Sequence, residues 1–236
     1  MAPVNSQNRF LPTLPRAALE LLRPHLRPTK LDQRSVLFST GERVDRVYFP
    51  DSGVISLVVE LADGQMVEAA MVGSDSVLGA ASALDGQLSL NKAIVQIGGS
   101  GSILDAARLR DIAEKNVEFR TSLIRHEQAL FVQAQQAGAC NVSHAVESRL
   151  ARWLLRARDL SGSDSLPLTQ EYLAQMLGVR RTTVTLVAGT LQNAGLIRYS
   201  RGHINITQPD RLRELACECY ETVKRNYDRL AEKSHR

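Results

Sequence analysis

Arg180 and Arg181 stand side by side and are followed by Thr182, Thr183 and Thr185. Two guanidinium groups beside three hydroxyls suit nucleic acid. Arginine can hold guanine through two parallel hydrogen bonds, and threonine can serve a phosphate or a thymine methyl. Such side chains read bases only when a rigid element carries them into a groove, and the flanking sequence supplies one. In Leu168–Gly195, LTQEYLAQMLGVRRTTVTLVAGTLQNAG, five apolar residues fall where two helices would pack together: Leu173, Leu177, Val179, Val184 and Val187. Ala174 lies four residues before Gly178, where a close helix crossing needs a small side chain. Gly178 falls at the turn, where a positive φ costs glycine little. Thr169 can cap the first helix with its hydroxyl. The spacing predicts a helix-turn-helix whose second helix, around 180–191, enters the major groove by its N-terminal end. The competing reading is an ordinary helical hairpin with a solvated basic face. The coincidence of small residue, turn glycine and five apolar positions disfavours it.

The next segment extends the pattern. Gly195-Leu196-Ile197-Arg198 reads as a strand start, Tyr199-Ser200-Arg201-Gly202-His203 as a tight turn, and Ile204-Asn205-Ile206 as a returning strand. A helix-turn-helix followed by a short hairpin is a winged helix. Its wing tip would bring Arg201 and His203 to the backbone or minor groove.

Charge is distributed to match. The 236 residues carry a formal net charge of +4. Residues 1–140 hold 14 Lys and Arg against 15 Asp and Glu, whereas residues 141–236 hold 15 against 10. The positive excess lies with the helix-turn-helix, as phosphate binding requires. Hydrophobic content of 44% and charged content of 23% give ample apolar material for two cores. MAPVNSQNRFLPTLP contains no apolar run of signal-peptide length. No stretch approaches the length needed to span a bilayer, so no membrane association and a cytoplasmic location are expected. Cys140, Cys217 and Cys219 fit a reducing compartment and imply no disulfide framework.

Upstream of the helix-turn-helix the pattern changes twice. Pro15 to Leu26 reads as a short helix. From about Leu31 to Ile103, SVLF, RVYFP, GVISLVVEL, MVEAAMV and KAIVQI read as short strands. Gly41-Glu42, Asp51-Ser52-Gly53, Asp63-Gly64, Asp85-Gly86 and Gly98-Gly99 punctuate them. Ala62-Asp63-Gly64-Gln65 is the clearest hairpin, with a two-residue turn. Many short strands at close spacing predict an antiparallel sandwich or roll. Gly98-Gly99-Ser100-Gly101-Ser102 lacks the Gly-Lys-Ser/Thr ending of a phosphate loop and reads as a turn between the last strand and a helix.

Helix resumes at about Asp105, and a longer run begins after Asn116. Phe119, Leu123, His126, Leu130, Gln133, Ala137 and Cys140 recur at alternating steps of four and three, the spacing of a seam between two helices. A symmetric dimer paired along that seam would place two recognition helices on one duplex. The alternative is a helix lying on its own β-domain. Ser143 to Asp159 reads as another amphipathic helix, Ser161–Ser165 as a loop, and Pro209 to about Leu230 as a last helix. The fold class is therefore α+β. Residues 1–115 form an antiparallel β-roll, 116–140 a dimerisation helix and 141–236 a winged helix-turn-helix unit.

This order of pieces resembles the Crp/Fnr family of bacterial transcription regulators. The resemblance runs from about residue 10 to about residue 207. It is carried by Leu168–Gly195 with Gly-Leu-Ile, by VLFSTGERVDRVYFPDSGVISLVVELADGQ, by MVGSDSVLGAASAL and by KAIVQIG. It implies a homodimer, contacts with RNA polymerase, and an effector pocket in a cyclic-nucleotide-binding-like roll. Within it, Arg181 matches the first base-reading arginine, and Thr169 and Thr183 match phosphate contacts. Thr182 stands where many members carry glutamate, and Leu186 where they carry a second arginine, so the familiar operator is not implied. The pocket departs further. Gly79-Ala80 stands where cyclic-nucleotide binders have Gly-Glu, and Leu90-Asn91-Lys92-Ala93 where they place a phosphate-binding arginine. Lys92 offers charge without a planar fork. Gly79, Ala80, Asn91 and Lys92 are thus pocket candidates for a different, unidentified small molecule, and no dependence on cAMP is expected.

No other chemistry stands out. An N-terminal iron–sulfur cluster would need cysteines, and none precedes Cys140. Cys217 and Cys219, two apart on one helix, would point to different sides and are read as one packed and one partly exposed thiol rather than metal ligands. Cys140 reads as a small packing residue, with a redox switch as the alternative. His126 could ligate a metal or haem, but reads better as a partnered interface histidine. With no nucleophile elbow and no zinc-ligand motif, no enzyme, cofactor or metal is expected. The alternative function is a ligand-sensing or protein-binding module with a degenerate DNA-binding unit.

Overall fold

The computed structural model describes residues 6–85 and 88–232. The glycine of the expected Asp85-Gly86 turn and the first five residues lie outside it. Helix α1 (Arg16–Leu22) leads into seven strands. β1 (Arg27–Leu31), β3 (Arg46–Pro50) and β7 (Gly99–Asp105) form one antiparallel sheet in the order β1-β7-β3. β2 (Val36–Phe38), β4 (Val54–Glu60), β5 (Met66–Val72) and β6 (Lys92–Ile97) form the other, in the order β2-β6-β4-β5. A short helix, α2 (Ala80–Asp85), interrupts the strands. Leu31, Phe38, Ile55, Leu57, Val72 and Val95 fill the space between the sheets.

Two strand expectations change. The glycine-rich segment 98–102 is largely strand, because β7 crosses the middle of its sheet where neighbouring backbones leave no room for side chains. A Cβ on Gly99 would lie 2.3 Å from the Ser52 carbonyl oxygen, and one on Gly101 would lie 2.5 Å from that of Phe49. The β4–β5 connection is a hairpin, but its loop is three residues long. Leu61 N–H donates to Gln65 O at 2.8 Å, and Gly64 takes the left-handed position at φ +82°.

Helix α3 (Ala106–Lys115) starts at Asp105, whose carboxylate accepts from Arg108 N–H. The long helix α4 (Val117–Ser143) follows, capped by Asn116, whose side-chain amide oxygen accepts from Phe119 N–H at 2.9 Å. Here the expected dimer seam is corrected. Phe119, Leu123, His126, Gln133, Ala137 and Cys140 are buried within one chain, and half-buried Leu130 packs on the roll interior. The Gln133 amide donates to Met71 O at 3.0 Å and accepts from Met71 N–H at 3.3 Å. It thereby closes the free edge of β5. His126 accepts from Val77 N–H at 3.3 Å through Nε2 and lies between the Phe10 and Tyr227 rings, so it is no interface residue. The stripe meets the protein's own core because α4 must cover that sheet edge.

The opposite face of α4 is exposed and also apolar. Val117, Ile124, Phe131 (64% exposed) and Val142 (90% exposed) lie on it, with Gln128, Gln135 and Gly138 between them. They too recur at steps close to seven and four.

After α5 (Val146–Ser161) and the short strand β8 (Ser165–Leu166) come α6 (Gln170–Leu177), α7 (Arg181–Asn193), β9 (Ile197–Ser200) and β10 (His203–Ile206). β10 lies between β8 and β9. The last expected helix is two, α8 (Pro209–Leu215) and α9 (Cys219–Glu232), broken at residues 216–218. Cys217 therefore sits in the break and Cys219 opens α9. Their thiols converge instead of diverging. Among the described residues no helix is long and apolar enough to cross a membrane.

One apolar cluster runs from Val54, Val58 and Met71 of the roll through Trp153 and Leu154 of α5 to Leu173 and Val184. Inside this contact lies Glu68, which accepts from the Ser56 hydroxyl and from Trp153 Nε1–H at 2.9 Å. Burial pushes its carboxyl up to about 7, with Ser56, Arg152 and Trp153 pulling it back. A carboxyl whose pKa is raised on folding stabilises the fold at acid pH. That contribution is lost as pH rises from the unfolded value through about 7. Glu68→Gln is therefore expected to remove roughly 3 kcal/mol of pH dependence between acid and mildly alkaline solution. Urea unfolding of both proteins at pH 5 and pH 8 checks this. Parallel pH profiles would refute it.

Candidate nucleic-acid interface

The helix-turn-helix forms where its local signals place it. Thr169 is the N-cap of α6, and its hydroxyl accepts from Tyr172 N–H at 3.3 Å. Gly178 ends α6 at φ +61°, ψ +40°, the left-handed conformation that the turn requires. Leu173, Leu177 and Val184 are buried at 0–1% exposure, so they fix the angle between the helices. Ala188 and Leu191 continue the underside of α7.

The outer face of α7 carries the candidate chemistry. Arg181, Thr182, Thr185 and Leu186 are exposed, and Thr183 is half-buried against the turn. The N-cap, Arg180, is exposed and gives α7 no side-chain cap. The first amides of this 13-residue helix and its positive dipole end therefore suit a phosphate. Thr185 is held in place. Its hydroxyl donates to Gln170 Oε1 at 2.7 Å, with the Arg181 carbonyl oxygen 3.1 Å away. Gln170 was not legible as part of the site from sequence, because only the helix crossing brings it to Thr185. Leu186, 74% exposed in the middle of a polar face, is the most solvent-accessible large apolar side chain of α7. An apolar contact to a thymine methyl is the major-groove chemistry it can perform.

The wing is narrower than its sequence suggests. Ser200 pairs with His203, so the turn is the two residues Arg201 and Gly202, at φ +46° and +79°. Two positive φ values match the right-handed twist of the strands. Arginine takes a positive φ at some cost. That cost is borne at the tip, where the side chain faces solvent beside exposed His203. The half-buried Thr169 methyl lies 3.6 Å from the position of a Cβ on Gly202, so wing and helix-turn-helix present one surface.

A groove of about 560 Å³ separates this surface from the β4–β5 hairpin. Asp63, Gly64 and Gln65 line one side, and Glu171, Gln175, Arg180 and Arg181 the other. Val67 of β5 lies 3.4 Å from the position of a Cβ on Gly178, so the turn of the helix-turn-helix rests on the roll. Arg180 and Arg181 thus border this groove, while Thr182, Thr185 and Leu186 of α7 and Arg201 and His203 of the wing are exposed.

The effector-pocket candidates fare differently. Gly79, at φ +86°, is walled in by the Phe38 ring and Val44, each 3.1 Å from the position of a Cβ, and Ala80 is fully buried. Asn91 is exposed. Lys92 Nζ lies 2.9 Å from Glu60 Oε2 on β4, so a phosphate there would have to displace a carboxylate. Lys92 is thus a paired strand residue and not a free cation aimed into a pocket.

Comparisons with known proteins agree with the architecture. Residues 148–215 match the model of the Crp-like helix-turn-helix domain. A CRP-like cAMP-activated global transcriptional regulator of Mycobacterium tuberculosis is 24% identical over 203 residues, covering 83% of this chain and 91% of its own. The structure of FixK2 from Bradyrhizobium japonicum superposes with a TM-score of 0.68 at 18% identity, over 81% of this chain and 98% of that one. A Crp/Fnr-family transcriptional regulator of Thermus thermophilus superposes with a TM-score of 0.61 at 22% identity, over 80% and 98% of the two chains.

Proposed function

We propose, from its Crp-like helix-turn-helix domain and its fold, that the protein is a DNA-binding transcription regulator of the Crp/Fnr type that binds operator DNA as a homodimer without requiring cAMP. The observation that carries this reading is the exposed face of α7, where Arg181, Thr182, Thr185 and Leu186 stand on a rigid apolar underside. Arg181 reads guanine, while Thr169 and Thr183 hold phosphates. Arg180, Arg201 and His203 add sequence-independent attraction.

Dimerisation uses the exposed stripe of α4, with Ile124, Gln128, Phe131 and Val142 meeting their symmetry mates. Two-fold pairing covers a patch that otherwise leaves large apolar side chains in water. The roll of residues 1–115 then serves as scaffold and the unit from 141 onward as reader, in the cytoplasm. From the bound dimer the protein contacts RNA polymerase, as the Crp/Fnr resemblance implies.

Independence from cAMP is supported by the walls around Gly79 and Ala80 and by the Lys92–Glu60 pair. A buried anionic phosphate needs a matched cation and donors. Selection from a randomised duplex pool, followed by gel-shift titration of the enriched sequence, tests the proposal. A two-fold symmetric operator is expected, with affinity falling steeply with salt and unchanged by added cAMP. Failure to enrich any sequence would favour a degenerate DNA-binding unit. Micromolar cAMP binding by calorimetry together with cAMP-dependent DNA affinity would overturn the effector assignment.

A further inference from the structure

Cys140 lies in the last turn of α4, and His144 is the residue that caps that helix, four positions on. His144 N–H donates to Cys140 O at 3.1 Å, so both side chains project from the same side of the helix end. Cys217 and Cys219 reach the same point from the break between α8 and α9. There Tyr220 N–H donates to Cys217 O at 3.1 Å and turns the chain. Cys140 Sγ and Cys217 Sγ are 3.5 Å apart, Cys219 Sγ and His144 Nδ1 are 3.6 Å apart, and all four ligand atoms lie within 4.8 Å of one another.

We propose that Cys140, His144, Cys217 and Cys219 form a mononuclear, tetrahedral site for a thiophilic divalent ion of the zinc class. Bond lengths of about 2.3 Å to sulfur and about 2.0 Å to nitrogen set the edges of such a tetrahedron at roughly 3.5–3.8 Å. The two close pairs already have that separation. The wider pairs, none beyond 4.8 Å, need to close by about 1 Å or less through side-chain rotation. A four-iron cluster would hold each cysteine on a different iron and keep the sulfurs much farther apart. Three sulfurs and one imidazole nitrogen leave no open position, so the site is structural.

The surroundings support the ligands as an outer shell does. His144 Nε2 lies 3.2 Å from Glu218 Oε1, which fixes the tautomer and leaves Nδ1 for the ion. Gln136 Nε2–H donates to Cys219 Sγ at 3.0 Å, a bond that favours the thiolate. The three cysteines are buried together, while His144 is one-quarter exposed and gives the ion a way in. An ion here joins positions 77 residues apart. It clamps the start of α9 to the C-terminal end of α4, where the long helix hands over to α5.

Full-length protein, purified with reductant and stripped by chelator, is titrated with cobalt(II) alone and then with zinc. Binding of one cobalt per chain is expected. It should show thiolate-to-metal charge transfer in the near ultraviolet and the intense visible bands of tetrahedral cobalt, both bleached by zinc. Cys140→Ser, Cys217→Ser and Cys219→Ser should each weaken the charge-transfer band, and His144→Ala should shift the visible bands. The spectrum of the unsubstituted protein decides the matter even if a variant fails to fold. Reduced, folded protein that binds no cobalt with thiolate bands overturns the proposal. So does a brown protein containing acid-labile sulfide, which would mean a cluster and not a single ion.

Discussion

Arg181→Ala is expected to lower operator affinity by roughly 2–6 kcal/mol, counting about 1–3 kcal/mol for a lost bidentate base contact in each of two half-sites. Arg181 is the first residue of α7 and fully outside the apolar underside that holds the helix in place. The variant should therefore keep its fold and its assembly, and a gel-shift titration isolates the reading of bases. Arg201→Ala at the wing supplies the contrast. It should weaken all sequences alike and flatten the salt dependence, because a phosphate contact carries no sequence information. Unchanged operator affinity in Arg181→Ala would remove α7 from the role of reader.

The second large effect separates the two stripes of α4. Ile124→Glu with Phe131→Glu is expected to give a folded monomer that loses most of its operator affinity. Both side chains are exposed in the single chain, so carboxylates there cost little until a partner helix buries them. In the dimer four carboxylates would then meet across the axis, where burial and mutual repulsion are both unfavourable. Affinity falls because one reader engages one half-site and the linked second contact disappears. Leu123→Glu should behave differently. Leu123 is fully buried against the N-terminal residues and the roll, so a charge there should unfold the protein outright. Light scattering combined with circular dichroism distinguishes these outcomes. A dimeric Ile124→Glu, Phe131→Glu protein with normal DNA binding would place the interface elsewhere.

That contrast also shows what the amino-acid pattern can and cannot fix. The recognition motif is legible because its constraints are local: a cap at Thr169, a left-handed glycine at 178, and apolar spacing within 28 residues. The β4–β5 hairpin is legible for the same reason. The face of α4 left free for another chain is not, because the helix carries two apolar stripes with nearly the same repeat. Phe119 to Cys140 faces inward and Val117 to Val142 outward. Spacing alone describes both stripes equally well, and only the position of β5 decides between them. β7 was hidden because glycines selected for close backbone approach look like a loop. The meeting of Cys140 with Cys217 was hidden by distance along the chain and by a helix break that no proline or glycine marks. The effector-pocket candidates were legible only as departures from a resemblance. What Lys92 does instead depends on Glu60, its partner across the sheet.

The apolar layer that joins the roll to the helix-turn-helix has a consequence for how such a chain can change over generations. Met176 of α6 accepts from the Gln96 side chain of β6 at 3.4 Å, Gln33 donates to the Pro167 carbonyl oxygen at 2.7 Å, and Gly178 rests on Val67. The helix-turn-helix is therefore not a cartridge that can be exchanged between rolls by recombination. A transplanted helix-turn-helix would bring the wrong side chains against Gln96, Val67 and the apolar layer around Trp153. Drift in the recognition face is free of that restriction, since Arg181, Thr182 and Leu186 touch none of these residues' buried contacts. Point substitutions on the exposed face of α7 leave the apolar layer intact, whereas exchange of the roll does not.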